Sequence, residues 1–428
     1  MFRSRFPYNV ALTLALTLTT LACRYSPPEG TGYATWWKGN LHTHSFWSDG
    51  DQFPEMIIDW YASRDYNFLA ISDHNTFQAG TRWRAFDRAV GEDPRIQAYR
   101  DRFGDDWVEE IDSAGSDWVR LKTLAEYRDL FDDPGRFLLM QAEEITDRFE
   151  TRPVHINATN LEHLIEPQGG TSVLDVLQRD VDAVLAQRDS TGTPMIPHVN
   201  HPNFGWAIAP SDLVHLQGER FFEVYNGHPA VHNEGDSTHL STEVLWDVVL
   251  AERLSRGSDV LYGIATDDAH NFLDEDPSLS NPGRGWIMVN AGELSAGSLI
   301  DAMEAGHFYA SSGVSMSRVS FDGETLSVGV DAVSGEVYTI QFIGSPSDYL
   351  PTGEYGETLD LHTATRLAGE TLAEFTDTEA SYRLTDAEMY VRAVVTSSKR
   401  KSNPYEPGEY ERAWIQPVIA GSRPFSLD

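Results

Sequence analysis

Cysteine is almost absent from this sequence, with Cys23 the only one. One thiol cannot close an intrachain disulfide, and a metal site beyond it has to be built from nitrogen and oxygen donors. Positive charge is also scarce. There are 32 Lys and Arg against 66 Asp and Glu, a formal charge of −34 over 428 residues. Phosphate backbones and anionic lipid surfaces call for basic faces, so this balance argues against nucleic acid as a partner and against a broad electrostatic dock on membranes. The plain reading of the acidity is solubility. Long apolar runs are missing after residue 22, and no later segment approaches the length of a membrane span. No Gly-x-Ser-x-Gly elbow occurs, which removes one common route to a serine nucleophile. What is present is a 41% hydrophobic chain, enough for a full core and long enough for two domains.

The N-terminal stretch reads as a targeting segment. Arg3 and Arg5 precede an apolar run over 10–22, and no acidic residue appears before Glu29. Thr20-Leu-Ala-Cys23 resembles the end of a bacterial lipoprotein signal. The expectation is a signal peptide over 1–22, a lipidated Cys23 as the only membrane attachment, and a Pro/Gly tether over 23–34. The protein would then be an exported lipoprotein anchored on the periplasmic or outer face, with secretion as the alternative.

From Trp36 onward one unit recurs: a short apolar strand, polar residues at its end, then a helix or loop. Strands are expected near 36–42, 68–72, 137–140, 154–158, 195–197, 221–225 and 260–265. Helices are expected from Pro54, over 174–188 and over 242–254. The segment 76–136 is too long for a plain connection and reads as a partly helical excursion over the mouth. Alternation of strands and helices argues for a parallel α/β barrel or an open doubly wound sheet, and polar residues ending at least six strands favour the barrel. After Gly313 short alternating strands between Gly, Asp, Ser and Pro turns read as a small antiparallel β-sandwich over 314–428, to which no chemistry is assigned.

The strand ends collect the chemistry. Asn40-Leu-His42-Thr-His44 puts two imidazoles two residues apart, hence on one face of a strand. Alone, one buried and one exposed histidine explains that pair as well. The later strand ends add Asp49, His74, Glu144, His155, His198, His201, Asp268 and His270, all nitrogen or oxygen donors. Their shared position argues for a polynuclear metal site. Glu143 and Asp267 are alternatives to their neighbours, and alternation along the strand favours Glu144 and Asp268.

These residues carry a resemblance. His42-x-His44 with Asp49, Ser72-Asp73-His74, Glu143-Glu144-Ile-Thr, His155-Ile-Asn, His201-Pro-Asn and Asp268-Ala-His270 resemble, in order, the motifs of the PHP (polymerase and histidinol phosphatase) superfamily. The likeness runs over 36–313. Glu223-Val-Tyr-Asn226-Gly, Arg284-Gly-Trp-Ile-Met-Val and Gly306-His-Phe-Tyr-Ala-Ser-Ser-Gly313 are similar to its carbaryl-hydrolase-like branch. The resemblance implies a distorted seven-stranded β/α (TIM-like) barrel over 35–313 and two or three divalent ions, zinc, manganese or iron. It implies that His42, His44, Glu144 and Asp268 hold one ion. Glu144 would bridge to a second, held with His74 or His155 and His201. Asp49, His74 and His270 would hold a third, Asp49 standing where many relatives have histidine. His198 and Asp73 are expected to support ligands rather than bind.

The function expected is hydrolysis by a metal-bridging hydroxide, most simply of a small phosphoester. Asp268 or His270 is the candidate proton shuttle, and Arg284 or Arg148 the candidate anion clamp. Carboxylic or carbamate ester hydrolysis is the alternative, for which Phe46, Trp47, Phe204 and Trp206 offer apolar lining. A non-catalytic exported metal-binding module is the third reading.

Overall fold

The computed structural model describes residues 35–87, 93–113, 115–352 and 361–428. The expected signal over 1–22, the tether over 23–34 and the Cys23 anchor lie outside the described residues.

In chain order, β1 (Thr35–Asn40) leads through a loop to α1 (Pro54–Ala62) and β2 (Phe68–Ile71). Pro54 opens α1, where its missing N–H is no loss. The excursion follows as β3 (Arg82–Asp87), α2 (Pro94–Phe103), β4 (Glu110–Ser113), β5 (Ser116–Leu121) and α3 (Leu124–Phe131). Its strands form a separate three-stranded sheet in the order β3-β5-β4, where only a partly helical segment was expected. Thr123 and Glu126 close a reciprocal capping box on α3.

Next come β6 (Leu138–Phe149), β7 (Arg152–Thr159), α4 (Val173–Thr191), β8 (Ile196–Val199), α5 (Pro210–His215), β9 (Phe221–Asn226), α6 (Thr242–Ser255) and β10 (Tyr262–Thr266). The chain continues as β11 (Trp286–Ala291), α7 (Ala296–Glu304), β12 (Phe308–Ser311), β13 (Met316–Phe321), β14 (Thr325–Val330) and β15 (Tyr338–Pro346). It ends with α8 (Leu361–Leu367), β16 (Glu370–Thr376), β17 (Glu379–Arg383), β18 (Glu388–Arg400), β19 (Tyr410–Val418) and β20 (Phe425–Leu427).

The result is a mixed α/β fold. A 13-stranded sheet runs β10-β9-β8-β7-β6-β2-β1-β11-β12-β19-β18-β15-β16. Neighbours β1, β2 and β6 are parallel, as are β8, β9 and β10. The expected all-parallel barrel needs correcting here. β6 extends to 12 residues, and β7 returns antiparallel to it and to β8. Only residues 150 and 151 join β6 to β7, and a link that short can make a hairpin but not a crossover.

The ladder among the described residues does not close into a ring. At its β10 end, the Gln416 side-chain amide accepts from Gly263 N at 3.0 Å and donates to Gly263 O at 2.7 Å. Strands on both arms still share one apolar core: Phe68, Met140, Ile196, Phe221, Ile264 and Ile287 pack together.

The strands after Gly313 join the large sheet through β12 and β19. A four-stranded sheet, β17-β14-β13-β20, packs over them, and Phe321, Leu326 and Val328 meet Ile340, Phe342 and Val395 in one core. Arg392 of β18 donates to both oxygens of Asp247 on α6, at 2.7 and 2.6 Å, with both side chains buried. This bidentate pair holds the late strands against α6.

Candidate metal centre

Backbone pairing past the formal strand ends sets the site. Thr43 bridges Ala269 in parallel; His44 N donates to Ala269 O, and Asp268 N to His42 O, each at 2.9 Å. His42, His44, Asp268 and His270 are thereby held side by side. His74 bridges Glu144 in the same way, with Asn75 N donating to Glu144 O at 2.9 Å. The turn after His44 is held by Asp73, whose carboxylate accepts from Ser45 N at 2.7 Å, from Ser45 and Ser48 Oγ at 2.6 Å, and from Gln78 Nε2 at 2.7 Å. A Cβ at Gly50 would lie 2.4 Å from His44 O, so a glycine is what lets this turn close.

Donor atoms then converge. His42 Nε2 and His44 Nε2 lie 3.3 and 3.2 Å from Asp268 Oδ1, and each is 3.6 Å from an oxygen of Glu144. Both nitrogens are buried without a hydrogen-bond partner. Leaving such atoms unsatisfied is costly. Donors around one cation at about 2.1 Å stand about 3.4 Å from each other, close to the 3.2–3.3 Å at which His42 and His44 meet Asp268, and these three form one compact donor group, with Glu144 at its edge. The residues therefore fit a divalent ion by spacing, by donor type and by their orphaned lone pairs.

The second cluster centres on Glu144. Its Oε1 lies 2.9 Å from His155 Nδ1 and 3.3 Å from His201 Nε2, and its Oε2 lies 2.6 Å from His74 Nδ1, out of hydrogen-bond alignment. The third surrounds Asp49, 3.5 Å from His74 Nε2, 3.4 Å from His270 Nε2 and 3.8 Å from His44 Nδ1. His74 thus stands between two clusters. All nine residues expected from the sequence as ligands fall in at least one compact donor group.

Electrostatics follow the crowding. Burial opposes charge on His42, but Asp268, Glu223 and Glu144 outweigh it and raise its pKa well above the usual value, so an ion taken up at Nε2 displaces a proton. Burial and the neighbouring His270 push His44 down to about 4. His74, also opposed by burial, is raised to about 11 by Glu144 and Asp49. Burial works against the Glu144 carboxylate, yet His74, His155 and His42 hold it far below the usual carboxylate range.

Of the supporting residues, the sequence singled out His198 and left the roles of Glu223 and Asn226 open, and Asn200 carried no signal. Glu223 accepts from His42 Nδ1 at 2.7 Å, from His201 N at 2.7 Å, from Thr266 Oγ1 at 2.7 Å and from Asn226 Nδ2 at 2.8 Å. Asn200 Nδ2 donates to Glu144 Oε1 at 2.8 Å. His198 is buried 3.5 Å from Glu223 Oε1 and groups with His42 and Glu223. The alternatives to Glu144 and Asp268 are engaged elsewhere. Glu143 accepts from Ile165 N at 2.7 Å. Asp267 accepts from the backbone N–H groups of Gly283, Arg284 and Gly285 at 2.9, 2.6 and 2.8 Å, and from Tyr61 Oη at 2.8 Å.

The expected anion clamp is corrected. Arg284 is buried, and its guanidinium donates to the carbonyls of Gly227, Leu279 and Asp276 and to the side-chain oxygens of Asn403 and Asn281. Its donors are satisfied inside the protein, so it ties the rim together. Arg148, on β6, is exposed and pairs with Pro153 beside the β6–β7 turn. Phe46 and Trp47 are buried in a core with Phe53 and Phe86 and do not line an opening, whereas Phe204 is half-buried with its ring 5.1 Å from that of His201.

No protein-family model matches the chain, and no curated protein matches it. Eight solved chains match it, among them two of low identity. One, a two-domain protein containing a predicted PHP-like metal-dependent phosphoesterase from Bacteroides vulgatus, is 16% identical, with a TM-score of 0.38 over 90% of this chain and 95% of that one. The other, a putative metal-dependent phosphoesterase from Bifidobacterium adolescentis, is 14% identical, with a TM-score of 0.27 over 54% of this chain and 87% of that one.

Proposed function

We propose that this chain is a PHP-type metal-dependent hydrolase acting on a small phosphoester. The observation that carries the reading is the pair of buried, unpartnered nitrogens, His42 Nε2 and His44 Nε2, facing Asp268 and Glu144 at 3.2–3.6 Å. His42, His44, Glu144 and Asp268 would hold one ion, Glu144 with His155 and His201 a second, and Asp49, His74 and His270 a third, with a distorted barrel as the scaffold. Bound divalent ions would supply an acidified water and a Lewis acid for the scissile group.

The chain's own residues do the rest. Glu223 keeps the His42 proton on Nδ1, so Nε2 presents a lone pair. Asp73 holds the turn that carries His44 and Asp49. His270 Nδ1 lies 2.9 Å from the Asp268 carbonyl, which fixes the ring with Nε2 toward Asp49. In a centre of two ions, with no ion on its Nε2, His270 beside the Asp49 carboxylate would be suited to carry a proton between the site and solvent.

One basic group favours an anionic substrate: Arg84, over the Phe46 ring at 4.9 Å, is within electrostatic reach of Asp49, whereas Arg95 beside it is tied to Asp93 at 2.6 and 2.8 Å. Phe204 beside His201 favours the second reading, an aryl carboxylic or carbamate ester. Assay of the metal-loaded protein on nitrophenyl phosphates against nitrophenyl esters separates the two. Turnover of phosphates that is lost in a His42→Ala, His44→Ala double variant is expected; turnover of esters alone refutes the phosphoester reading. The N-terminal pattern carries the companion proposal of export and anchoring through Cys23.

A further inference from the structure

The geometry points to His228 as a catalytic hydrogen-bond donor, its Nε2–H holding a non-bridging oxygen of the phosphoryl group presented to the metal centre. This rests on the phosphoester reading above.

His228 lies two residues past the end of β9, and its backbone N donates to Asn226 Oδ1 at 2.8 Å. The Asn226 amide in turn donates to Glu223 Oε2 at 2.8 Å and Asp268 Oδ2 at 3.2 Å. The position of His228 is therefore set by carboxylates of the candidate centre itself. Between them, Gly227 passes so closely that a Cβ would lie 2.8 Å from Asp267 O and 2.7 Å from Arg284 Cβ. The half-buried His228 ring meets His270 edge-on at 5.6 Å between centroids and Phe204 at 6.4 Å.

One contact decides what the ring offers. The backbone N–H of Ala230 donates to His228 Nδ1 at 3.1 Å. A ring nitrogen that accepts a hydrogen bond carries no proton, so the proton of the neutral ring is on Nε2. Among the described residues no protein hydrogen bond or ion pair engages Nε2. His228 belongs to none of the compact donor groups that could hold an ion. It stands beside the centre with an N–H donor to spare. A neutral donor stabilises negative charge on a substrate oxygen without setting a further cation against bound metal ions.

The test uses the full metal-loaded protein, with metal content measured by elemental analysis and affinity for inorganic phosphate by calorimetry. Loss of one hydrogen bond to a charged group corresponds to a tenfold or greater weakening. The expected result is that His228→Ala keeps the wild-type metal content and binds phosphate at least about tenfold more weakly. His228→Gln, which keeps an N–H near the same place, should recover part of the loss. Unchanged phosphate affinity in His228→Ala overturns the assignment, and loss of metal overturns it in favour of a ligand role. Nitrogen NMR of the ring adds a readout independent of binding: a proton on Nδ1 contradicts the donor geometry. If wild-type protein binds metal but neither binds phosphate nor cleaves phosphoesters, the phosphoester reading fails, and this inference with it; phosphate binding that ignores His228 fails the inference alone.

Discussion

Glu223 Oε1 lies 2.7 Å from His42 Nδ1, and both side chains are wholly buried. That contact decides which nitrogen of His42 faces the other donors, because Nδ1–H donates a hydrogen bond to the carboxylate and Nε2 is left to bind an ion. Glu223→Gln keeps the shape but weakens the acceptor. Metal affinity, measured by competition with a chromogenic chelator, should fall about 10–100-fold. An unchanged affinity would make Glu223 a packing residue.

Asp49 is the most exposed of the expected ligands, with 58% of its side chain accessible. It meets His44, His74 and His270 only through its carboxylate, so removing it disturbs little packing. Asp49→Ala should fold with wild-type stability and lose one metal equivalent, while the ions held through His42, Glu144 and His201 remain. Elemental analysis beside a urea melt checks both halves. A variant that keeps every ion would move the third site elsewhere.

The two outcomes just described depend on residues that sequence pattern made visible to different degrees. His42, His44, His74, His201 and Asp268 were legible because a metal centre in a nearly cysteine-free chain needs nitrogen and oxygen donors, and these stand at apolar strand ends. Glu223 was not distinguishable from a barrel-mouth packing residue, since its role depends on where the His42 ring turns. The β6–β7 hairpin escaped notice for a local reason. Its turn is made by Glu150, at φ 56°, and Thr151, without the glycine or asparagine that announces such a turn. The three-stranded sheet of the excursion was hidden by strands with exposed polar residues, such as Glu110–Ser113.

Arg284 illustrates the limit for arginines. Its acceptors come from positions 227, 276, 279, 281 and 403, and no spacing along the chain predicts that gathering. Arg284→Ala leaves buried carbonyls unpaired and should lower unfolding stability by at least about 2 kcal/mol in urea titration. A variant of wild-type stability whose KM for a phosphoester rises about tenfold, about 1.4 kcal/mol, would restore the anion-clamp role.

A pH effect is expected away from the metal centre. Glu55 is fully buried, and desolvation, only partly offset by hydrogen bonds from Tyr99 and Trp107, raises its pKa from 4.5 to about 7. Between those values the folded chain holds a proton that the unfolded chain has released, so this group's contribution falls as pH rises through the window. Below it both states are protonated, and above it neither is. Urea midpoints at pH 5 and pH 7.5 should differ less in Glu55→Gln than in the wild type. An identical pH slope in the two proteins would show that Glu55 titrates normally.

Every role described for these residues depends on the strand-end donors binding metal together. Elemental analysis of purified wild-type protein and the His42→Ala, His44→Ala variant, each shown to be folded, tests it most directly. Two or three divalent ions per wild-type chain are expected, with loss of the ion held by His42, His44 and Asp268 in the variant. A folded wild-type protein that takes up no divalent metal, or a variant that binds as much as the wild type, would contradict it.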